Sequence, residues 1–342
     1  MRGVWLTGHG GLDKLEVRED IPVPRPTPGD VIVRVGAAGV NATDVNTRTG
    51  WYSKGDAKHE DAGWSGEPIH FPRIQGIDVC GHVAAVGEHI SRNRIGERVM
   101  VEPCLKEANG QALPRPWFLG SECDGGFAEY VAVPSRHAHR IESGLSDMEL
   151  ASFPCSYSTA ENMLTKAGVA PGETVLVTGA SGGVGSAAVQ MIRARKADVI
   201  AITSAPKFEQ LTALGASRTL SRDAGITAAL GKNSVDAVVD LVGGRNWPEL
   251  LSVLKPGGRF AVAGAIAGAL VELDLRTLYL KDLCLIGCTV LEPKVFANLI
   301  QLIEQQKIRP IVAETYALEE IAIAQERFLK KKHIGKIVLT VA

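Results

Sequence analysis

The chain has 342 residues, of which 45% are hydrophobic and 22% charged, and its net charge is −1. That is an ordinary globular composition with room for two sizeable cores. It carries no basic block, which argues against nucleic acid or an anionic membrane surface as an obligate partner.

The start, MRGVWLTGHGGLDKLEV, lacks a long apolar core and a small-residue cleavage site, so no signal peptide is expected. No run of about 18 apolar residues predicts a membrane span. The cysteines Cys80, Cys104, Cys123, Cys155, Cys284 and Cys288 are scattered without a C-x-x-C pair, as expected for thiols in a reducing cytoplasm.

In chain order, VIVRVGAAGV (31–40), GHVAAVG (81–87), ERVMVEP (97–103) and AEYVAVP (128–134) read as strands bounded by turn residues. Residues 51–70 and 104–126 lack periodicity and are expected to be long loops bordering a site. From about residue 155 the rhythm changes. TVLVTG (174–179), DVIAITS (198–204), VDAVVDLVG (235–243) and RFAVAGA (259–265) read as strands. Helical segments over 182–197, 207–216 and 247–258 alternate with them, which predicts a doubly wound parallel sheet. One further strand (283–290), two amphipathic helices (294–307 and 318–332) and a last strand, GKIVLTV (335–341), complete the chain.

The stretch VLVTGASGGVGSAAVQ places Ala180, Ser181, Gly182, Gly183, Val184 and Gly185 between a strand and a helix. Such a loop cradles a dinucleotide pyrophosphate. Gly182 admits the phosphate, Gly185 lets helix and sheet pack closely, and the helix N-terminus supplies oriented N–H groups. An NAD site usually closes its second strand with Asp or Glu. Here that strand ends in Thr203 and Ser204, with Lys207 just beyond and Arg222 after the next short strand. Hydroxyls and cations suit a 2′-phosphate and point to NADPH; the alternative is that both cations are solvated surface charges.

Taken together, AAGVNATDVNTRTG (37–50), FPRIQGIDVCGHVAAVG (71–87), GGFAEYVAVP (125–134), the glycine loop and GKIVL carry a resemblance. The chain resembles the medium-chain dehydrogenase/reductases, in their zinc-independent quinone oxidoreductase branch. The resemblance implies an α/β protein with a GroES-like β-rich catalytic domain (1–154 and 293–342) and a Rossmann domain (155–292). Zinc members carry Cys in A-G-V-C-x-x-D and His-Glu in G-H-E. The corresponding residues are Asn41, and Ile77 and Asp78. His82 falls on a variable position and is expected to be a structural strand side chain. A catalytic zinc needs three N, S or O ligands, so no metal is expected. A site from Cys104, Cys123, His137 and His139 is the weak alternative.

Without a Lewis acid the favoured chemistry is hydride delivery from NADPH to an electrophilic carbon, as in a quinone or an α,β-unsaturated carbonyl. The resemblance assigns catalysis to Asn41, Arg48 and Tyr52. It assigns Thr159, Val242, Gly264, Ala265 and Ile266 to the nicotinamide half of the cofactor site, and Lys336 to the pyrophosphate or to solvent. Asn46 stands where the branch often has a second Tyr, and Trp51, Tyr52 and Trp64 are candidates for a substrate entrance. An enoyl-thioester reductase is the second enzyme reading. An NADPH-retaining structural or RNA-binding protein is the reading from another class. The apolar strand 283–290 points to a homodimer through a sheet edge.

Overall fold

The structure is a computed structural model that describes residues 1–54 and 62–341. The chain forms two compact units, one of residues Met1–Cys155 with Pro310–Ala342 and one of Ser156–Arg309.

The first unit is β-rich. Among the described residues its largest sheet has seven strands. Asp30–Val40 lies at its centre, antiparallel to Asp78–Val86 on one side and to Lys336–Thr340 on the other. Every residue of Asp30–Val40 except Arg34 and Gly36 is buried, which explains its almost uninterrupted apolar run. The C-terminal strand Lys336–Thr340 is therefore an interior strand, between Ala37–Val40 and Val312–Ala317. A short helix, Ala42–Thr49, leaves the end of the central strand and stops at Gly50, whose φ of 68° suits the left-handed cap.

Residues 104–126, expected to be a loop, fold in part into a hairpin, Cys104–Ala108 with Gln111–Phe118. Asn109 and Gly110 sit at its tip with φ of 53° and 73°, the conformation an Asn-Gly hairpin turn requires. Pro114 and Pro116 lie on its second strand, which pairs only with the first among the described residues, a place where proline is tolerated. Of the other expected loop, residues 55–61 lie outside the described residues.

The second unit carries a six-stranded parallel sheet. Its order is Arg218–Ser221, Asp198–Thr203, Thr174–Val177, Val235–Asp240, Leu254–Val262, Cys284–Gly287, that is, 3-2-1-4-5-6 in chain order. This is the Rossmann arrangement, and the order reverses between Thr174–Val177 and Val235–Asp240. One face is packed by Leu176, Val238, Leu250, Leu254 and Phe260, with the Trp247 ring 4.8 Å from that of Phe260. The fifth strand starts at Leu254, earlier than the sequence rhythm suggests, because the helix before it ends at Val253. Cys284–Gly287 is an edge strand.

Candidate active site and cofactor cradle

At the point where the strand order of the second unit reverses, Gly179–Gly185 turn from a strand into the helix Gly183–Ala194. Gly179 has a φ of 57°. A Cβ on Gly185 would stand 2.3 Å from the Gly179 carbonyl oxygen, so only glycine lets the helix approach the strand this closely. A Cβ on Gly182 would meet protein only at 3.5 Å, which leaves the space above the loop open for a phosphate. The first turn of the helix, Gly183, Val184 and Gly185, presents its N–H groups there.

Thr203 ends the neighbouring strand, and Ser204 caps the short turn Ala205–Lys207. The Lys207 ammonium lies 3.4 Å from Ser181 Oγ of the glycine loop. The Arg222 N–H donates to the Thr203 carbonyl at 2.9 Å, which brings that residue to the same strand end. Burial, and then the nearby Arg222 charge, lower the Lys207 pKa. The Arg222 charge is thus close enough to act on Lys207, and both stand at the strand end beside the glycine loop.

Two further loops meet at the ends of the next strands. Val242 reaches over the glycine loop, since a Cβ on Gly179 would stand 3.1 Å from its Cγ2. The Ala267 N–H donates to the Val242 carbonyl at 2.8 Å, and Gly264 packs so tightly on Leu241 that a Cβ would lie 2.6 Å from its carbonyl oxygen. Ala265 is half-buried and Ile266 exposed. Asp240, fully buried, organises this region. Its carboxylate accepts from Thr178 Oγ1 at 2.6 Å and from the N–H groups of Val242 and Gly243 at 3.1 Å. Asp240 was not singled out from the sequence; the signal that could have found it is an acid ending an otherwise apolar buried strand. Thr159 is half-buried on the helix Pro154–Lys166.

In the first unit, Asn41 joins the central strand to the helix Ala42–Thr49 and is almost completely buried. Its amide Nδ2 donates to Asp78 Oδ2 at 2.8 Å and to the Gly39 carbonyl at 3.2 Å. Its Oδ1 accepts from the Lys336 ammonium. That ammonium also pairs with Asp78 Oδ2 at 2.7 Å, and Asp78 Oδ1 takes the Cys155 N–H at 2.5 Å. Lys336 is neither in the cofactor unit nor in solvent; it is the buried counter-ion of Asp78. Sequence reasoning had Asp78 only as a failed Glu position and did not connect it with the C-terminal lysine.

Below this group lies Asp44. It accepts backbone N–H groups from Asn41 at 2.8 Å and from Gly76 and Ile77 at 3.3 Å, so it clamps the Gly76–Ile77 turn to the helix start. Burial pushes its pKa up to about 7 against these hydrogen bonds. Tyr52 donates to Thr43 Oγ1 at 3.2 Å, and its ring lies 5.2 Å from Trp64, which stacks on Phe118 at 4.4 Å. Trp51 packs edge-on against Tyr52. Burial drives the Tyr52 pKa up to about 12, although Thr43 and Asn46 hydrogen-bond its oxygen. The structure thus gathers Tyr52, Asn46 and the aromatic rings into one wall. Arg48 is apart from it: the guanidinium donates to Gln325 Oε1 at 2.9 Å and to the Gly10 carbonyl at 2.6 Å, and is buried.

Residue type bears on the metal question. Neutral Asn41, aliphatic Ile77 and the Lys336 ammonium do not make a cation site. Glu102 holds both His137 Nδ1 (3.2 Å) and His139 Nε2 (3.1 Å). Burial alone would raise the Glu102 pKa, but these two hydrogen bonds bring it down to about 2. His137 Nε2 accepts the Lys106 N–H at 3.1 Å, so its ring is committed. Among the described residues no cluster of three or more His, Cys, Asp or Glu side chains is arranged to hold a metal. His82 is half-buried on Asp78–Val86, with Nδ1 4.0 Å from Asp147.

Comparison with known proteins decides the family. Residues 27–143 match the alcohol dehydrogenase GroES-like domain and residues 183–305 the zinc-binding dehydrogenase domain. An acryloyl-coenzyme A reductase of Metallosphaera sedula is 30% identical over 99% of this chain and all of its own. The chain is a medium-chain dehydrogenase/reductase. Within this superfamily it is also similar to a human quinone oxidoreductase, 28% identical over 99% of this chain and 97% of that protein. Among solved structures it resembles a putative alcohol dehydrogenase of Sinorhizobium meliloti, with a TM-score of 0.91 and 44% identity over the whole chain and 97% of that one. The members of the superfamily are NAD(P) oxidoreductases, and the cradle described above has the parts such a cofactor needs.

Proposed function

We propose that this medium-chain dehydrogenase/reductase is an NADPH-dependent, metal-independent reductase of quinones or α,β-unsaturated carbonyls. The observation that carries the proposal is the exchange of the metal-ligand positions for Asn41 and Ile77, with a lysine ion pair behind them. Oxidising an alcohol requires its oxygen to be activated, and these residues supply neither a metal nor a group that would ionise it. A conjugated acceptor makes no such demand, because its own carbonyl accepts the negative charge.

Ser181, Thr203, Ser204, Lys207 and Arg222 would hold the 2′-phosphate end of NADPH. Ala180 and Gly182–Gly185 would hold the pyrophosphate, and Thr159, Val242, Gly264, Ala265 and Ile266 the nicotinamide end. Bound NADPH supplies the hydride. An α,β-unsaturated acceptor would gain that hydride at its β-carbon while the π electrons move onto the carbonyl oxygen; a quinone would take up the hydride equivalent and one solvent proton and leave as the hydroquinone. Tyr52 turns its O–H from Thr43 to that oxygen as a donor. With a pKa of about 12 it stays protonated at neutral pH, so solvent supplies the proton that completes the product. Asn41 and Arg48 act from behind, Asn41 through the Asp78–Lys336 pair and Arg48 by fixing the helix to Gly10 and Gln325.

The similarity to acryloyl-coenzyme A reductases supports a second reading, reduction of an enoyl thioester by the same hydride transfer. The edge strand Cys284–Gly287, with Tyr279, Leu280 and Leu285 exposed beside it, supports a homodimer. The test uses NADPH deuterated at C4 with a quinone, an alkenone and an enoyl thioester. Deuterium at the β-carbon of a reduced alkenone or thioester supports the proposal and identifies the acceptor class. No deuterium transfer to the alkenone or thioester and no reduction of the quinone, with an alcohol oxidised instead, overturns it.

A further inference from the structure

The buried group Lys336, Asp78 and Asn41 sets an ammonium beside the positions where the zinc members of the superfamily carry their ligand motif. Lys336 opens the interior strand Lys336–Thr340 of the first unit, between Asp30–Val40 and Val312–Ala317, and its side chain is 3% exposed. Its Nζ lies 2.7 Å from Asp78 Oδ2 and donates to Asn41 Oδ1. Asn41 stands at the Cys position, Ile77 at the His position and Asp78 at the Glu position of that motif.

Charge fixes the orientation of the Asn41 amide. Its oxygen faces the ammonium and its N–H faces the carboxylate at 2.8 Å. Turning the amide over would set N–H against ammonium and oxygen against carboxylate, two repulsions in a buried site. Asp78 is fully used as well, by the Cys155 N–H, the Asn41 N–H and Lys336. The carboxylate is neutralised by the ammonium, so the group is a closed set with no net charge left for another cation.

We infer that the Lys336 ammonium is the resident cation of this site: it takes the place a metal ion would need, fixes the Asn41 amide, and keeps divalent metals out. The inference deepens the metal-independent reading and rests on it for the placement of the site. Its test needs no turnover, so a failure of the inference and a failure of the proposed reaction are read separately.

The experiment uses the full chain with Asn41→Cys and Ile77→His, which with the Asp78 carboxylate offer three ligand groups, in one protein with Lys336 retained and in a second that also carries Lys336→Met. Each is incubated with Co²⁺ and desalted. Bound metal is then measured by mass spectrometry, and thiolate coordination by the sulfur-to-cobalt charge-transfer absorption. The protein that retains Lys336 is expected to hold cobalt only at the background of the unaltered chain. The protein without it is expected to hold stoichiometric cobalt with a thiolate band. Equal retention by both would overturn the inference, because the ammonium would then exclude nothing. Background metal in both would overturn it equally, because something other than the ammonium would be excluding the ion. Circular dichroism and NADPH binding report folding. If the Lys336→Met protein does not fold, Lys336→Gln, which is uncharged and still donates to Asp78, replaces it in the same comparison.

Discussion

Lys336→Met is the perturbation whose cost the structure fixes best. The substitution keeps the aliphatic stem and removes the charge, so that Asp78, with no solvent exposure, loses its counter-ion. Removing one partner of a buried ion pair costs about 3–5 kcal/mol. Asp78 keeps two N–H donors, from Asn41 at 2.8 Å and Cys155 at 2.5 Å, which places the loss at the lower end, about 3 kcal/mol. For a unit of this size that is a fall of roughly 6–12 °C in its melting transition. Neutralising the carboxylate too, in Lys336→Met/Asp78→Asn, removes the stranded charge and is expected to restore more than half of the loss. The assay is thermal unfolding followed by circular dichroism and calorimetry, with the transition of the first unit resolved. A single substitution that shifts it by less than about 2 °C would refute the reasoning. So would a double substitution that is no more stable than the single one.

Three further outcomes are expected. Lys207→Ala should lower the preference for NADPH over NADH by about tenfold or more, the worth of a hydrogen-bonded charge. Arg222→Ala, at an exposed position, should lower it only about three- to fivefold; kcat/KM for both cofactors measures this, and an unchanged ratio contradicts the phosphate site. Tyr52→Phe should reduce kcat while the wild-type pH profile shows no Tyr52 ionisation between pH 6 and 9, because the phenol titrates at about 12. A tyrosine-dependent inflection in that range would count against a donor role. Asp44 has a folded pKa of about 7 against an ordinary value of 3.8, so the folded state binds the extra proton between these pH values. Stability from this group is therefore greatest below about pH 4 and falls as pH rises through 7, by at most roughly 4 kcal/mol. Asp44→Asn should flatten that slope in urea titrations at pH 4 to 8, and an unchanged slope would show that Asp44 titrates normally.

Local signals were legible and distant partners were not. The apolar strand 174–177 followed by glycines and a helix announces a cofactor cradle, because strand, turn and helix are neighbours in the chain. The alternation after residue 155 predicts the parallel sheet for the same reason. Asn109-Gly110 is an equally local hairpin signal; the weak periodicity around it and two prolines hid it. Lys336 could not be placed from sequence. Its partner Asn41 is 295 positions away, and only the strand pairing of Lys336–Thr340 with Ala37–Val40 brings them together. Arg48 follows the same logic, since its partner Gln325 is 277 positions distant. Motif reasoning showed what Asn41 and Ile77 cannot do. The sheet was needed to show that Lys336 pairs with Asp78 and Asn41.

The measurement closest to the central claim is NADPH oxidation by protein stripped with a strong chelator and verified metal-free by mass spectrometry. A panel of quinones, alkenones and enoyl thioesters would serve as acceptors. The expected result is turnover of at least one acceptor at the rate of the unstripped protein, unchanged by added Zn²⁺. Activity that disappears on stripping and returns with Zn²⁺ would contradict the account.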